Sequence, residues 1–303
     1  MGEVFLGREA LGDGLTRHEL RRWYRPFFRG VYTRKGVKLT LADRALGAWL
    51  TSERKGIITG VAASALHGAA CVDDTEPIEI LVDDRRRQPG LLVRMDRVAD
   101  DEITIVGDLP VTTLARTAFE LGRYQKRFAA IARLDALMRA APFSADEVSM
   151  LMQRYGPVRG VRQLRELLPL VDPGAASPKE SWLRLLLFDN GFPIPETQIP
   201  VFDGDDPFAF LDMGWRHIHL GVEYDGEQHR TDRKQYVKDQ RRLPRIAKRG
   251  YEVIRVIAED RESEILARTY EAWLRRGGAE IDKMARFTRT FAPEREFGRK
   301  WVA

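Results

Sequence analysis

The chain has 303 residues, 44% of them hydrophobic and 31% charged, and its 50 Lys and Arg against 45 Asp and Glu give a net charge of +5. This composition predicts a globular protein of two or three units, without an apolar run long enough to cross a membrane. The lone cysteine, Cys71, excludes an internal disulfide and a cysteine-built metal site. Because the N-terminus also lacks a signal-peptide pattern, we expect a cytoplasmic protein.

Positive charge is concentrated in two segments. Residues 1–55 carry 12 Lys and Arg against 6 Asp and Glu, and residues 234–255 carry 8 against 2. Such clusters are typical of surfaces that bind a polyanion, although solvated helical faces produce the same pattern.

Residues 1–40 are predicted to form a winged-helix-like DNA-binding segment. Thr16 and Glu19 have the spacing of a capping box, Pro26 is expected to end the helix, and FFRGVYT then follows as a β-ribbon. A helix followed by a basic ribbon is the skeleton of a winged helix. The residues predicted to bind nucleic acid here are Arg17, Arg21, Arg22, Arg29, Arg34 and Lys35.

Residues 41–171 are predicted to form a mixed α/β domain that ends in a helical connector. PIEILVD and LLVRMDR are expected to be strands joined by the basic turn DDRRRQPG. LPVTTLARTAFELGRY is expected to begin as a strand and continue as a helix. The segment DPGAASP, residues 172–178, has the composition of a linker.

Residues 179–303 are predicted to form a C-terminal domain with the element order α-β-β-β-α-β-α, so the fold class is α/β (α+β). Acids are disfavoured inside strands, yet Asp212, Glu223 and Asp225 all lie in or beside strand-like apolar runs. Acids at such positions usually have a partner, and a divalent cation in front of a phosphodiester explains this set best.

The expected cofactor is Mg²⁺ (or Mn²⁺), which prefers oxygen ligands and is typically held by one or two carboxylates plus substrate phosphate. Asp212 and Glu223 are the predicted metal ligands. Asp225, on the same side of its strand as Glu223, is expected either to add a ligand or to orient His229, which suits general acid or base work. The predicted catalytic residues are Glu180, Asp212, Glu223, Asp225 and His229, and the predicted phosphate contacts are Lys238, Arg241 and Arg242.

Each candidate also has a structural interpretation. Glu180 follows Ser177 with capping-box spacing, with Pro178 at the first helical position. Asp212 could end a strand, Asp225 begins a turn dipeptide, and Asp239 could form a helical ion pair with Arg242.

The C-terminal pattern resembles the PD-(D/E)XK nuclease superfamily, in the branch related to very-short-patch-repair endonucleases. The matching pieces lie within residues 178–260: Glu180, Asp212, Glu223 in VEYDG, DGEQH, Asp239–Arg242 and GYEVIRV. The resemblance implies a restriction-endonuclease-like domain that hydrolyses phosphodiester bonds. The chain departs from the acid-x-lysine ending because Asp225 stands where the lysine is usual. The resemblance then implies that His229 takes over that work, or that the catalyst is weak or dead.

Residues 14–140 resemble the AbiEi-like antitoxin family. The matching pieces are LTRHELRR, FRGVYTR, ITGVAASALHG and LPVTTLARTAFEL. This resemblance implies a winged-helix DNA-binding segment followed by an antitoxin-like α/β domain.

The leading prediction is therefore a metal-dependent DNA endonuclease that nicks DNA or recognises a DNA structure. One site per chain cuts one strand, so double-strand cutting would require a homodimer. The alternative is a DNA-binding regulator or antitoxin-like protein whose nuclease domain is degenerate. An RNA-directed nuclease is a third hypothesis, because basic segments do not distinguish RNA from DNA.

Overall fold

The structure is a computed structural model, and it describes residues 4–83, 88–226 and 242–284. The chain divides into two compact units, Met1–Pro173 and Gly174–Ala303, with the division inside the segment predicted as a linker. Both units mix helices with sheets, as predicted for an α+β protein. Among the described residues, each helix is too short or too polar to cross a lipid bilayer.

Unit 1 begins with a small antiparallel sheet and two short helices. The helix α2 starts where predicted: Thr16 Oγ1 accepts from the Glu19 backbone N at 3.2 Å, and Glu19 Oε2 accepts from the Thr16 backbone N at 2.9 Å. It ends at Trp23, so Pro26 lies within the next strand instead of ending the helix. The strand and helix that precede α2 were not predicted. The elements are β1 (Val4–Leu6), α1 (Gly7–Gly12), α2 (Arg17–Trp23), β2 (Tyr24–Phe28) and β3 (Val31–Arg34), with sheet order β1-β3-β2.

This first sheet shares a hydrophobic core with the elements that follow. Val4 and Val31 lie in one buried cluster with Ala45 of the next helix and Ile58 and Ile80 of the second sheet. Residues 1–40 therefore fold onto the rest of unit 1 through buried apolar contacts.

The second sheet of unit 1 has the strand order β6-β5-β4-β8-β7. The predicted segments are present, and β7 is an additional strand. The strands are β4 (Ile57–Thr59), β5 (Ile78–Leu81), β6 (Leu91–Arg94), β7 (Ile103–Val106) and β8 (Leu109–Thr112), and the helices are α3 (Leu41–Thr51), α4 (Gly60–Leu66), α5 (Leu114–Tyr124), α6 (Arg127–Ala140), α7 (Ala145–Tyr155) and α8 (Val161–Leu167).

The strands β5 and β6 pair in parallel, with Ile78 opposite Leu91 and Leu81 opposite Arg94. A tight turn joins only antiparallel neighbours, so the prediction that the basic turn at residues 83–90 joins two hairpin strands is wrong. Residues 84–87 of that segment lie outside the described residues.

A buried ionic cluster ties the sheet of unit 1 to α5. The Arg116 side chain is 1% exposed; its guanidinium binds Glu102 and donates from Nε to Glu120 Oε1 at 2.8 Å. Thr59 Oγ1 donates to the second oxygen of Glu120 at 2.6 Å, and the Tyr155 hydroxyl donates to Glu102. Because each buried charge has a partner, the cluster avoids the desolvation cost of an unpaired ion.

Unit 2 has the described order α-β-β-β-α-β-α, and its sheet order is β12-β11-β10-β9. The strands β9, β10 and β11 are antiparallel neighbours, and β11 pairs in parallel with β12. One buried cluster joins Leu183 and Trp273 to Val222, and a second joins Ile246 to Leu211. The elements are α9 (Pro178–Asp189), β9 (Glu196–Phe202), β10 (Pro207–Trp215), β11 (Leu220–Asp225), α10 (described over 242–248), β12 (Glu252–Ile257) and α11 (Glu262–Arg275).

Replacing Arg116 by alanine is expected to lower the free energy of unfolding of unit 1 by about 3–5 kcal/mol, because Glu102 and Glu120 lose their buried cation. The matched control is Arg54→Ala, which removes an exposed pair with Glu9 and should cost at most about 1 kcal/mol. Urea unfolding followed by circular dichroism measures both. An equal loss of unfolding free energy in the two variants would contradict the larger stabilising effect expected of the buried cluster.

Candidate carboxylate site in the C-terminal unit

Asp212 lies just beyond the point where the regular backbone pairing between β10 and β11 ends. The regular ladder runs from Trp215–Leu220 to Met213–Val222. Beyond it, Asp212 Oδ2 accepts a hydrogen bond from the Tyr224 backbone N at 2.9 Å. A side-chain carboxylate thus takes the place of a backbone acceptor and is fixed beside the Glu223–Tyr224 peptide.

Glu223 is only 7% exposed and is paired with an arginine. Both of its carboxylate oxygens accept from Arg242, with Nη1 to Oε2 at 3.2 Å and Nη2 closer to Oε1. Nη2 of Arg242 also donates to the Phe210 carbonyl oxygen at 2.8 Å. Arg242, predicted to contact phosphate, is in this structure the counter-ion of the predicted metal ligand Glu223.

Glu180 has the contacts of a helix cap, which was the structural interpretation of its position. The Ser177 hydroxyl donates to Glu180 Oε1 at 2.9 Å and accepts from the Glu180 backbone N at 3.2 Å, while the Ala176 backbone N donates to Oε2 at 2.7 Å. Its carboxylate is nevertheless close enough to Asp212 to act on it electrostatically.

The environment of Asp212 favours its protonated form. Burial raises the pKa of Asp212 to about 7, and the negative charge of Glu180 acts in the same direction. The hydrogen bond from Tyr224 N opposes these effects, the charge of Glu223 adds to them, and that of Arg242 opposes them. Glu180 and Glu223 are buried and Asp212 is half-buried, and their charges interact: Arg242 reduces the repulsion, and the raised pKa of Asp212 favours its protonation.

The donor chemistry of this group fits a hard divalent cation, because two carboxylates can suffice for Mg²⁺ when water and substrate phosphate supply the other ligands. The described residues alone do not bring three His, Cys, Asp or Glu side chains into an arrangement suited to a metal ion. The predicted catalytic residue His229 and the predicted phosphate contacts Lys238 and Arg241 lie outside the described residues, as does Asp239.

Asp225 is bound across the sheet. Its Oδ2 accepts from Arg255 Nη2 of β12 at 2.5 Å, in a parallel register that places Glu223 opposite Arg255. This pair gives Asp225 a structural role in holding β11 to β12, and its predicted part in metal binding stays a prediction.

Lys179 is a cation near the site that the sequence analysis did not consider. Its Nζ lies 5.7 Å from the centre of the Trp182 ring and 5.8 Å from that of the Tyr224 ring. The signal that was available is its position directly before the candidate residue Glu180, in the first turn of α9.

The predicted nucleic-acid contacts of unit 1 are all exposed but do not form one group. Lys35 Nζ donates to the Arg21 carbonyl oxygen at 2.7 Å, and the Arg22 guanidinium lies 4.8 Å from the centre of the exposed Trp23 ring. Arg34 is opposite Tyr24 in the hairpin, so it lies at the same end. Arg17 lies one helix length away, at the first residue of α2.

Arg29 lies at the opposite end of the hairpin, in its turn. There its backbone N donates to Gln88 Oε1 at 2.6 Å and its carbonyl oxygen accepts from Thr51 Oγ1 at 2.9 Å. The structure therefore groups Arg21, Arg22, Arg34 and Lys35 and separates Arg29 from them.

Comparisons with known proteins bear mainly on unit 1. Residues 48–170 match the family described as the AbiEi antitoxin C-terminal domain. The chain thus contains a segment similar to that antitoxin domain, as the resemblance of residues 14–140 predicted in part. The match covers less than half of the chain.

Two similar proteins are both called uncharacterized. They are protein MT2308 of Mycobacterium tuberculosis strain CDC 1551 / Oshkosh and protein Rv2248 of Mycobacterium tuberculosis strain ATCC 25618 / H37Rv. Each is 29% identical over 243 residues, which cover 80% of this chain and 86% of the relative. No solved structure matches. The resemblance of residues 178–260 to nucleases stays a prediction.

The raised pKa of Asp212 predicts a pH-dependent stability. Between about pH 4 and 7 the folded chain keeps a proton that an unfolded Asp, with an ordinary pKa of 3.8, has lost. The contribution of Asp212 to the free energy of unfolding therefore falls as pH rises through this window, by up to about 1.4 kcal/mol per pH unit, and stays low above it. Asp212→Asn keeps an acceptor for Tyr224 N and removes this dependence.

We expect Asp212→Asn to become more stable relative to wild type between pH 5 and pH 8 in urea unfolding. The same change at the exposed Asp205 is the matched control for the substitution itself and should not reproduce the gain expected at position 212. If the difference in free energy of unfolding between wild type and Asp212→Asn did not change with pH, the raised pKa of Asp212 would be contradicted.

Proposed function

We propose that this chain is a DNA-binding, antitoxin-like regulator. The match of residues 48–170 to an AbiEi antitoxin domain supports this proposal, since domains of that family typically bind DNA. It is also supported by the N-terminal architecture, in which α1, a turn containing Gly14 and α2 are followed by the hairpin β2–β3. Two helices joined by a short glycine-containing turn, with a β-hairpin after the second, fit a winged helix. In this assignment α2 is the recognition helix, and α1 is the helix that the sequence analysis did not find.

The observation that carries the proposal is the grouping of exposed cations where α2 meets the hairpin. Arg21, Arg22, Arg34 and Lys35 lie at this end, and Lys35 is held against the last turn of α2 by its bond to the Arg21 carbonyl oxygen. Arginine and lysine on a recognition helix and an adjacent hairpin can contact phosphates on both sides of a groove. The exposed Trp23 ring, 50% accessible, adds an apolar surface among these cations.

We expect the double variant Arg21→Ala/Arg22→Ala to weaken DNA binding and to reduce the slope of log K against log salt by about 2, because two phosphate contacts are lost. The matched control is Arg162→Ala/Arg165→Ala, which removes two exposed arginines from α8 in the same unit. Fluorescence anisotropy with a labelled duplex at several salt concentrations measures both. Equal affinities and salt slopes for the two double variants would refute the winged-helix assignment. Side-chain variants are the better test than deletion of residues 1–40, because that segment contributes to the core of unit 1.

A second candidate function is metal-dependent cleavage of DNA by unit 2, favoured by the placement of Asp212 and Glu223 on adjacent strands and by the electrostatic influence of Glu180 on Asp212. In this function Asp212 and Glu223 would hold Mg²⁺ or Mn²⁺. Such a cation polarises a phosphodiester and lowers the pKa of a bound water. The chain's own residues would prepare the site: Tyr224 N orients the Asp212 carboxylate, and Arg242 offsets the charge of Glu223.

Binding of the cation can be measured without activity. Mg²⁺ or Mn²⁺ at pH 8 should raise the melting temperature of the wild-type chain, because it relieves repulsion among the acids, and should not raise that of Asp212→Asn. The matched control is Asp205→Asn, which should respond as the wild type does.

Cleavage is then tested on supercoiled plasmid with the same cations. Nicked circles from the wild type, with none from Asp212→Asn or Glu223→Gln and DNA binding retained in both, would establish the nuclease. DNA binding by the wild type without nicking, and without a cation-dependent melting shift, would leave the regulator as the function of the chain.

A further inference from the structure

A cleft of about 690 Å³ opens in unit 1, and its lining includes none of the cations grouped at α2 and the hairpin. It lies between the segment that follows β6, the helix α5 and the C-terminal end of α7. Its volume falls in the range of sites that take small organic ligands. Among the described residues, both arginines and apolar side chains line the cleft; the arginines are Arg97, Arg116, Arg123 and Arg154.

Polar partners hold three of these arginines in place. Glu102, only 2% exposed, binds both Arg116 and Arg154, the latter from Nη1 at 2.6 Å. Asp101 also binds Arg154, accepting from Nη1 at 2.9 Å and from Nη2 at 2.7 Å. Arg123 is buried and donates from Nε to the Arg159 carbonyl oxygen at 2.9 Å. Arginines fixed in this way keep their planar donor groups oriented, which lowers the entropy cost of binding an anion.

Among the described residues, the acid that lines the cleft is Asp96, and its carboxylate already interacts with Tyr124 and Arg123. The Tyr124 hydroxyl donates to Asp96 Oδ2, and Arg123 Nη2 lies 3.8 Å from Oδ1. Burial raises the pKa of Tyr124 to about 12, with Asp96 acting in the same direction, so the hydroxyl remains a donor at neutral pH. Asp96 therefore opposes an incoming anion less than an unpaired acid would.

Arg97 differs from the other arginines of the cleft. It is exposed, and within the described part of the chain it has no carboxylate partner, so its guanidinium is available to a ligand. Met95, Val98 and Val158 also line the cleft, and an apolar or planar group can pack against them.

We propose that this cleft binds a phosphorylated small molecule of nucleotide size. The phosphate lies against the exposed guanidinium of Arg97 and the remaining N–H donors of Arg154 that Asp101 and Glu102 do not engage, and the organic part packs against Met95, Val98 and Val158. This inference is independent of DNA binding by the N-terminal helices and of any chemistry in unit 2. It gives the antitoxin-like domain a ligand site of its own.

The test is isothermal titration calorimetry of the full chain with ADP, ribose 5-phosphate, adenosine and inorganic phosphate. We expect binding of the phosphate esters, weaker binding of inorganic phosphate, and none of adenosine. Arg97→Ala should weaken binding of the esters by roughly tenfold or more, because a charged hydrogen-bond donor is lost, and Arg97→Glu should abolish it. Arg162→Ala, an exposed arginine of α8 outside the cleft, is the matched control and should bind as the wild type does.

Thermal melting of each variant confirms that it is folded, which is expected because Arg97 is exposed. The proposal is overturned if no phosphate ester binds at millimolar concentration, or if Arg97→Glu and Arg162→Ala bind equally well. It is also overturned if inorganic phosphate binds as tightly as the esters, or if only duplex DNA is bound and with Arg97-dependent affinity, since the cleft would then belong to a DNA surface.

Discussion

The compensation of buried carboxylates is the constraint on which both units of this protein depend. An acid taken out of water costs several kcal/mol unless a cation, a proton or a hydrogen bond replaces the lost hydration. Unit 1 compensates with arginine: Glu102 and Glu120 surround Arg116, and the sheet, α5 and α7 are joined through this cluster. Unit 2 compensates less completely, because Arg242 pairs with Glu223 while Asp212 relies on one backbone N–H and on a proton.

Features that depend on neighbours in the sequence could be predicted. The caps at Thr16 and Ser177 each combine a hydroxyl with a glutamate three residues later, and this local geometry determines where α2 and α9 begin. The strands around Asp212 and Glu223 were predicted for a similar reason, since their apolar runs and flanking turns are continuous in the sequence. Because Asp212 and Glu223 lie on consecutive predicted strands, they could be expected to lie near each other on neighbouring strands of the sheet.

Features that depend on distant partners could not be predicted from one sequence. Arg116 pairs with Glu120 within one helical turn, which looks like a surface pair, and it is buried because Glu102 arrives from another element. The parallel pairing of β5 with β6 contradicts the local pattern of two strands and a polar turn. The helix α1 is six residues long and begins at a glycine without a side-chain cap, so it has little intrinsic stability and depends on packing against the hairpin. The grouping of Arg21, Arg22, Arg34 and Lys35 depends on how α2 meets the hairpin, and Arg29 is separated from them because it lies in the turn at the other end.

The pairing of Glu223 with Arg242 bears directly on the cation binding that is proposed for unit 2. In the present structure the arginine is the counter-ion of Glu223 and also binds the Phe210 carbonyl oxygen. A divalent cation on the Glu223 carboxylate would compete with Arg242 for the same oxygen atoms, because a carboxylate held by both donors of one guanidinium has few lone pairs left. An arginine displaced from Glu223 would remain beside the acids, where a phosphate is a suitable acceptor for its N–H groups. Cation and phosphate binding would then each favour the other, since the cation releases the arginine and the phosphate keeps it away from Glu223. Without a cation, Arg242 joins α10 to the sheet through its bonds to Glu223 and to the Phe210 carbonyl oxygen. The same bonds would have to break before Glu223 could bind a cation with both oxygens.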